Sequence, residues 1–219
     1  MKKNLSTLIY AFLAGFCIGL GGTVFLRLKD AFTGGNVIGA LLFTVGLFTI
    51  CTRGYHLFTG KACYLFDNKA AYIPYLILVW IGNLAGGTTL AVMELNTGIG
   101  AGLQETARGM IESKMASSPL SLFILGMLCN IFIYIAVNGY AKNPHECGKY
   151  LSLFLGVSCF ILIGSEHSVA DMYYWAVSGI LFSQPAASIA CLLIISAGNV
   201  CGGVLFPLLE KAIGKLEQA

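Results

Sequence analysis

Six stretches of this chain run for about twenty residues or more with almost no charge and no strand-like alternation: roughly 6–28, 37–66, 70–94, 118–141, 149–182 and 185–209. About twenty apolar residues are what a helix needs to cross the hydrocarbon core. Unpaired backbone groups are too costly in lipid for anything but helices or closed barrels to span it. A barrel would be written as alternating strands of about ten residues, which these runs are not. The expected fold class is an all-α integral membrane protein with six transmembrane helices, in one transmembrane channel domain over 1–219. Composition agrees, with 57% hydrophobic and 11% charged residues, where a soluble domain carries about a quarter charged. The net charge of +3 is small, and no basic patch for nucleic acid is visible. The lipid bilayer is the expected solvent.

Polar punctuation separates the runs: "RLKDAFTGGN", "FDNK", "ELNTGIGAGLQETARGMIESK", "AKNPHECGK" and "SQP". The second and fifth runs are too long for simple spans and contain polar residues in mid-run, which predicts interrupted helices. The N-terminus has two lysines and an apolar stretch, as a signal peptide does. That stretch continues to Leu28, long enough to span, so it is read as the first span. The eight cysteines sit mostly within apolar runs without a C-x-x-C, as small apolar fillers do. With the N-terminus inside, Lys2, Lys3, Lys61, Lys69, Lys142, Lys149, Lys211 and Lys215 lie on the inner side and Arg27, Lys29, Arg108 and Lys114 on the outer. The positive-inside rule then puts both termini in the cytoplasm of a multi-pass protein of the cell (inner or plasma) membrane.

The halves repeat. "GYHLFTG" (54–60) followed by "GNLAGG" (82–87) is matched by "GSEHSVAD" (164–171) followed by "GNVCGG" (198–203), at offsets of about half the chain. Three spans per half, about 6–94 and 118–209, require the second copy to be inverted. Inverted repeats with broken helices at matching places point to a transport site near the midplane.

The chemistry gathers at those breaks. Ionisable side chains at membrane depth mark pathways or relays by default, and His167 is the one such group whose charge changes near neutral pH. Thr59 lies in the corresponding interruption of the first half. The plainer alternative for His167 is a buried histidine bonded to Glu166 or to a carbonyl. Glu166 and Asp171 are expected to serve the scaffold by accepting amides at the start of a broken helix. Asn83 and Asn199 are expected to tie off backbone groups freed by the breaks, and the glycines beside them to allow close helix packing. Lys114 is a loop lysine before the fourth span. Phe43, Leu47, Leu57 and Phe160 flank the breaks and offer apolar constrictions. His56 and Arg53, near the first break, suit either the pore or the membrane edge.

"EHSVADM" (166–172) resembles the E-H-S-x-A-N-M signature of the formate/nitrite transporter family, and "LFTG" its first-repeat motif. "LCNIFIYIAV" (128–137) resembles that family's C-N-x-x-V-x-x-A-V segment, which places Asn130 on its asparagine; Lys114 falls where the family has a vestibule lysine. The resemblance covers essentially the whole chain. It implies a pentamer of aquaporin-like protomers, each passing small monovalent anions or their conjugate acids: formate, nitrite, hydrosulfide or short carboxylates. It makes His167 the pore histidine with Thr59 as its partner, Lys114 and Asn130 the electropositive surroundings, and Phe43, Leu47, Leu57 and Phe160 the two constrictions. Ser165 stands where the family has an aromatic residue, Asp171 where it has Asn, and Tyr55-His56 where it has Ala-Asp. These departures fit its hydrosulfide-channel branch, with a proton-coupled formate or nitrite transporter as the alternative. No enzymatic activity and no cofactor are expected. An aquaporin-type pore would bring two NPA motifs, where this chain has one "NPH" (143–145). A metal site on Glu166, His167, Asp171 and His56 would need three or four converging ligands.

Overall fold

A computed structural model describes residues 2–218; the first and last residues of the single domain expected from the sequence lie outside them. Among the described residues the chain is all-helical. Its helices are α1 (Lys2–Leu28), α2 (Gly35–Arg53), α3 (Phe58–Ala62), α4 (Tyr72–Leu95), α5 (Gly100–Met115), α6 (Pro119–Lys142), α7 (Glu146–Leu162), α8 (Ser168–Val177), α9 (Ile180–Ser183) and α10 (Pro185–Leu216). Five of them, α1, α2, α4, α6 and α10, are long and apolar enough to cross a membrane. The fifth apolar run is divided between α7, of 17 residues, and α8, of 10 residues. The second is likewise divided into α2, α3 and a 3-10 turn at Leu65–Asp67.

Two expectations are corrected in the connections. The polar segment after residue 95 is largely helix, α5. Glu94, read as punctuation, is the penultimate residue of α4 and is buried, where its carboxylate accepts hydrogen bonds from Thr23 and Tyr173 at 2.6 Å each. Each carboxyl oxygen has a hydroxyl donor, so the group sits in the core rather than in a loop.

The packing is organised in two matching sets. α1 lies against α2 and α4, and α6 lies against α7 and α10 in the same way. The glycine pairs explain the closeness of the longer contacts. A Cβ at Gly86 would fall on the carbonyl of Phe12, and one at Gly202 on the carbonyl of Met127. Backbone therefore meets backbone at both places, where any larger residue would force the helices apart. The short helices cross between the sets: α3 touches α10, and α8 packs on α4. The breaks consequently meet at the centre of the molecule.

Candidate functional site

Each break begins with the same device. Gly54 and Gly164 have φ of +69° and +72°, a left-handed conformation that glycine adopts without strain. The next residue then bonds back to the end of its helix, Tyr55 N to Ile50 O at 3.0 Å and Ser165 N to Phe160 O at 3.1 Å. This is the Schellman ending, which stops a helix and turns the chain aside. The Ser165 hydroxyl adds a second bond to Phe160 O at 2.7 Å.

The extended residues that follow are held by asparagines. Asn83 Oδ1 accepts from Phe58 N at 2.8 Å, and its Nδ2 donates to Ala11 O at 2.7 Å and His56 O at 2.9 Å. Asn199 repeats this, accepting from Ser168 N at 2.9 Å and donating to Gly126 O and Glu166 O, both at 2.8 Å. Even the amides agree: His56 N donates to Tyr10 O at 3.3 Å and Glu166 N to Leu125 O at 3.2 Å. A break buried in a helical core leaves orphan backbone groups; each amide side chain satisfies two of them and ties the break to a carbonyl of a neighbouring helix, Ala11 O of α1 or Gly126 O of α6.

The tips of the two half-helices meet at Thr59 and His167, whose Oγ1 and Nε2 are 2.9 Å apart. Both are buried, at 0% and 2% exposure, so a solute reaching them has left bulk water. His167 Nδ1 accepts the Ala170 amide at 3.0 Å. That bond assigns the ring proton to Nε2 and leaves the imidazole a donor toward Thr59 or a solute. Asn130 donates to Thr59 O at 3.1 Å, and its Oδ1 is buried without a partner.

Two cavities adjoin this pair, one lined by His167 itself and the other by Gly60, next to Thr59. One, of about 190 Å³, is lined by Phe43, Phe160 and His167 together with Lys114, Glu166 and Asp171. Phe43 meets Phe160 edge to face at 6.1 Å, and Phe160 stacks on the His167 ring at 5.3 Å. The other, of about 200 Å³, is lined by Leu47, Leu57 and Gly60 together with Lys61, Tyr64 and Tyr140. The four apolar residues picked from the sequence therefore divide two and two between the cavities.

The acidic residues take a different role from the expected one. Glu166 and Asp171 do not cap α8; Asn199 and His167 supply those acceptors. Both carboxylates instead grip Lys114, which bonds Glu166 and lies 2.5 Å from Asp171. Burial acts to lower the Lys114 pKa, and the two carboxylates outweigh it, holding the ammonium above the ordinary lysine range. Glu166, His167 and Asp171 thus separate into a lysine-bound acid pair and a threonine-bound imidazole. Among the described residues no group of His, Cys, Asp and Glu is placed to hold a metal ion.

His56 and Arg53 line neither cavity. Arg53 is exposed, and the His56 ring packs between Tyr10 at 5.2 Å and Tyr75 at 5.7 Å. The sequence reading missed Tyr174, Tyr64 and Tyr140 as lining residues, since tyrosines in apolar helices carry no signal of the direction they face. It also met Lys61 only as a topological charge.

Residues 1–212 match the family described as formate/nitrite transporter. Nitrite transporter NirC of Salmonella typhimurium is 30% identical over 212 residues, which cover 89% of this chain and 77% of that one. Formate channel FocB of Escherichia coli is 24% identical over 254 residues, covering 97% of this chain and 88% of its own. In three dimensions the chain is similar to a solved pentameric formate channel with formate bound, at a TM-score of 0.84, 24% identity and 98% coverage of both chains. A second solved structure, an FNT family ion channel, gives a TM-score of 0.82 at 24% identity, covering 96% of this chain and 90% of that one.

Proposed function

The chain belongs to the formate/nitrite transporter family, a family of transporters and channels rather than enzymes, and from that premise we propose that it is a channel for small monovalent anions or their conjugate acids, hydrosulfide first and formate and nitrite also permeant. The observation that carries the reading is the buried Thr59–His167 pair, which two cavities adjoin. A solute passing the Phe43–Phe160 or the Leu47–Leu57 constriction sheds water, since apolar walls return no hydrogen bonds. The Nε2–H and the Thr59 hydroxyl then offer it donors at the narrowest point. Hydrosulfide suits such a site because it is small and polarisable and its conjugate acid titrates near neutrality. Ser165 and Asp171, which depart from the family pattern, support that choice over formate.

The same reading takes the whole chain as one channel domain with six crossings, α2–α3 and α7–α8 each making one of them. The two sets of matched hydrogen bonds support an inverted repeat of three spans each, with both termini cytoplasmic. The 190 Å³ cavity then faces outward and the 200 Å³ cavity inward. A homopentamer, with a pore in each protomer, follows the pentameric relative. Uptake by proteoliposomes across hydrosulfide, formate, nitrite and lactate at two pH values tests the assignment. Hydrosulfide flux above the others supports it. Nitrite or formate uptake that dominates and requires an inward proton gradient would replace it with a proton-coupled transporter. Swelling by neutral solutes alone would remove anions from the account.

A further inference from the structure

Resting on that reading, we propose that Lys61 is the residue that draws anions to the pore, and that it makes the two mouths electrostatically unequal. Among the residues that line the cavity beside Lys114 and their ion-pair partners there is no surplus positive charge. Lys114 is bound by both Glu166 and Asp171, and Lys29, which lines the same cavity, is paired with Asp30 at 2.6 Å. Two ammonium groups there meet three carboxylates, so the side is neutral if the buried acids share a proton and negative if they do not. The Lys61 side is the reverse. Among the described residues Lys61 makes no ion pair, and no carboxylate lines its cavity. The neighbouring acid, Asp67, is taken by Lys211.

Lys61 also stands in the right place. It is half-buried on α3, two residues beyond Thr59, and shares its cavity with Leu47 and Leu57. A charge at the mouth of a low-dielectric cleft concentrates counter-ions there, an effect that salt weakens. At about 4 Å in water-like surroundings one charge is worth about fivefold in local anion concentration. On the proposed topology this mouth faces the cytoplasm, so capture favours export of an anion made inside the cell.

Cys51 lines the same cavity and is half-buried, which provides a reading of the local potential independent of transport. Labelling rates at Cys51, located by mass spectrometry, are compared for an anionic and a cationic methanethiosulfonate reagent, in the native chain, Lys61→Gln and Lys61→Arg. Val137→Cys, a second reporter in the same cavity, is run in parallel. The inference expects a native preference for the anionic reagent at low salt. Lys61→Gln should reduce it about fivefold, Lys61→Arg should retain it, and high salt should abolish it. Equal preference in the native chain and Lys61→Gln at both reporters overturns the inference, whatever the chain transports. Sided vesicle flux adds the functional half. Lys61→Gln should raise the half-saturating formate concentration on the Lys61 side alone, with maximal flux little changed. A labelling effect in a chain that carries no anion would leave the charge asymmetry standing and remove the channel reading beneath it.

Discussion

His167 Nδ1 accepts the amide of Ala170 at 3.0 Å, so the imidazole that meets Thr59 between the two half-helices is also the N-cap of α8. The two duties are coupled. While the cap bond stands, the Nδ1 lone pair is occupied, and exchange with a solute is confined to Nε2, 2.9 Å from Thr59. A second proton on the ring would place two donors face to face and break the cap.

Asparagine at position 167 should separate these duties. Its side-chain oxygen is a good N-cap, yet it has no donor at the reach of Nε2. His167→Asn should keep the thermal stability of the detergent-solubilised protein while losing most anion flux. His167→Ala should lose flux and about 1 kcal/mol of stability as well. Equal melting temperatures for native protein and His167→Ala would show that the cap contributes nothing.

Asn83 and Asn199 each make three hydrogen bonds to buried backbone groups. At roughly 1 kcal/mol per bond, Asn83→Ala and Asn199→Ala should each destabilise by about 3 kcal/mol, read as similar drops in melting temperature. Unequal drops would show that the halves do not rely on the clamp alike.

Lys114→Met should be severely destabilising, because it strands two carboxylates beside a buried cavity, and breaking a buried pair costs about 3–5 kcal/mol. Adding Glu166→Gln and Asp171→Asn should recover much of that loss. The sign with pH follows from the raised lysine pKa. The stability contributed by the ammonium is complete below the unfolded value of about 10.4 and is lost only as pH rises through the still higher folded value. Chemical denaturation from pH 7 to 9 should therefore show no change attributable to Lys114.

Gly86→Ala and Gly202→Ala should each cost about 1–3 kcal/mol, since the added methyl meets a carbonyl of the facing helix and overpacking forces the backbone to shift. Gly109, on α5 with nothing within 4 Å of its Cβ position, is the control. Gly109→Ala should stabilise by about 0.5–1 kcal/mol through helix propensity. Melting curves of the three variants compare the two effects directly.

Much of this architecture is written in the sequence. Span length and polar punctuation reveal the long helices, because the membrane imposes a single length scale. The breaks are legible from mid-run polar residues within runs too long to be straight, and the meeting of Thr59 with His167 from their places in corresponding interruptions. The role of Glu166 and Asp171 was not legible. Their partner, Lys114, is more than fifty residues away on a helix, α5, whose polar sequence reads as a loop. Lys61 looks like any flanking lysine until the structure shows which charges have partners. Glu94 was hidden because a carboxylate at a span end reads as the water line, and only the fold brings Thr23 and Tyr173 to it.

The asparagine clamps of the two halves are alike bond for bond, whereas the residues at the matching helix starts, Leu57 and His167, are not. Each clamp bonds main-chain atoms only, and these are indifferent to the side chain at the tip. The clamps thus leave these side chains open, apart from the cap bond that His167 makes to the Ala170 amide. On the proposed function, solute preference is then the property most open to change, since it rests on side chains that neither clamp touches.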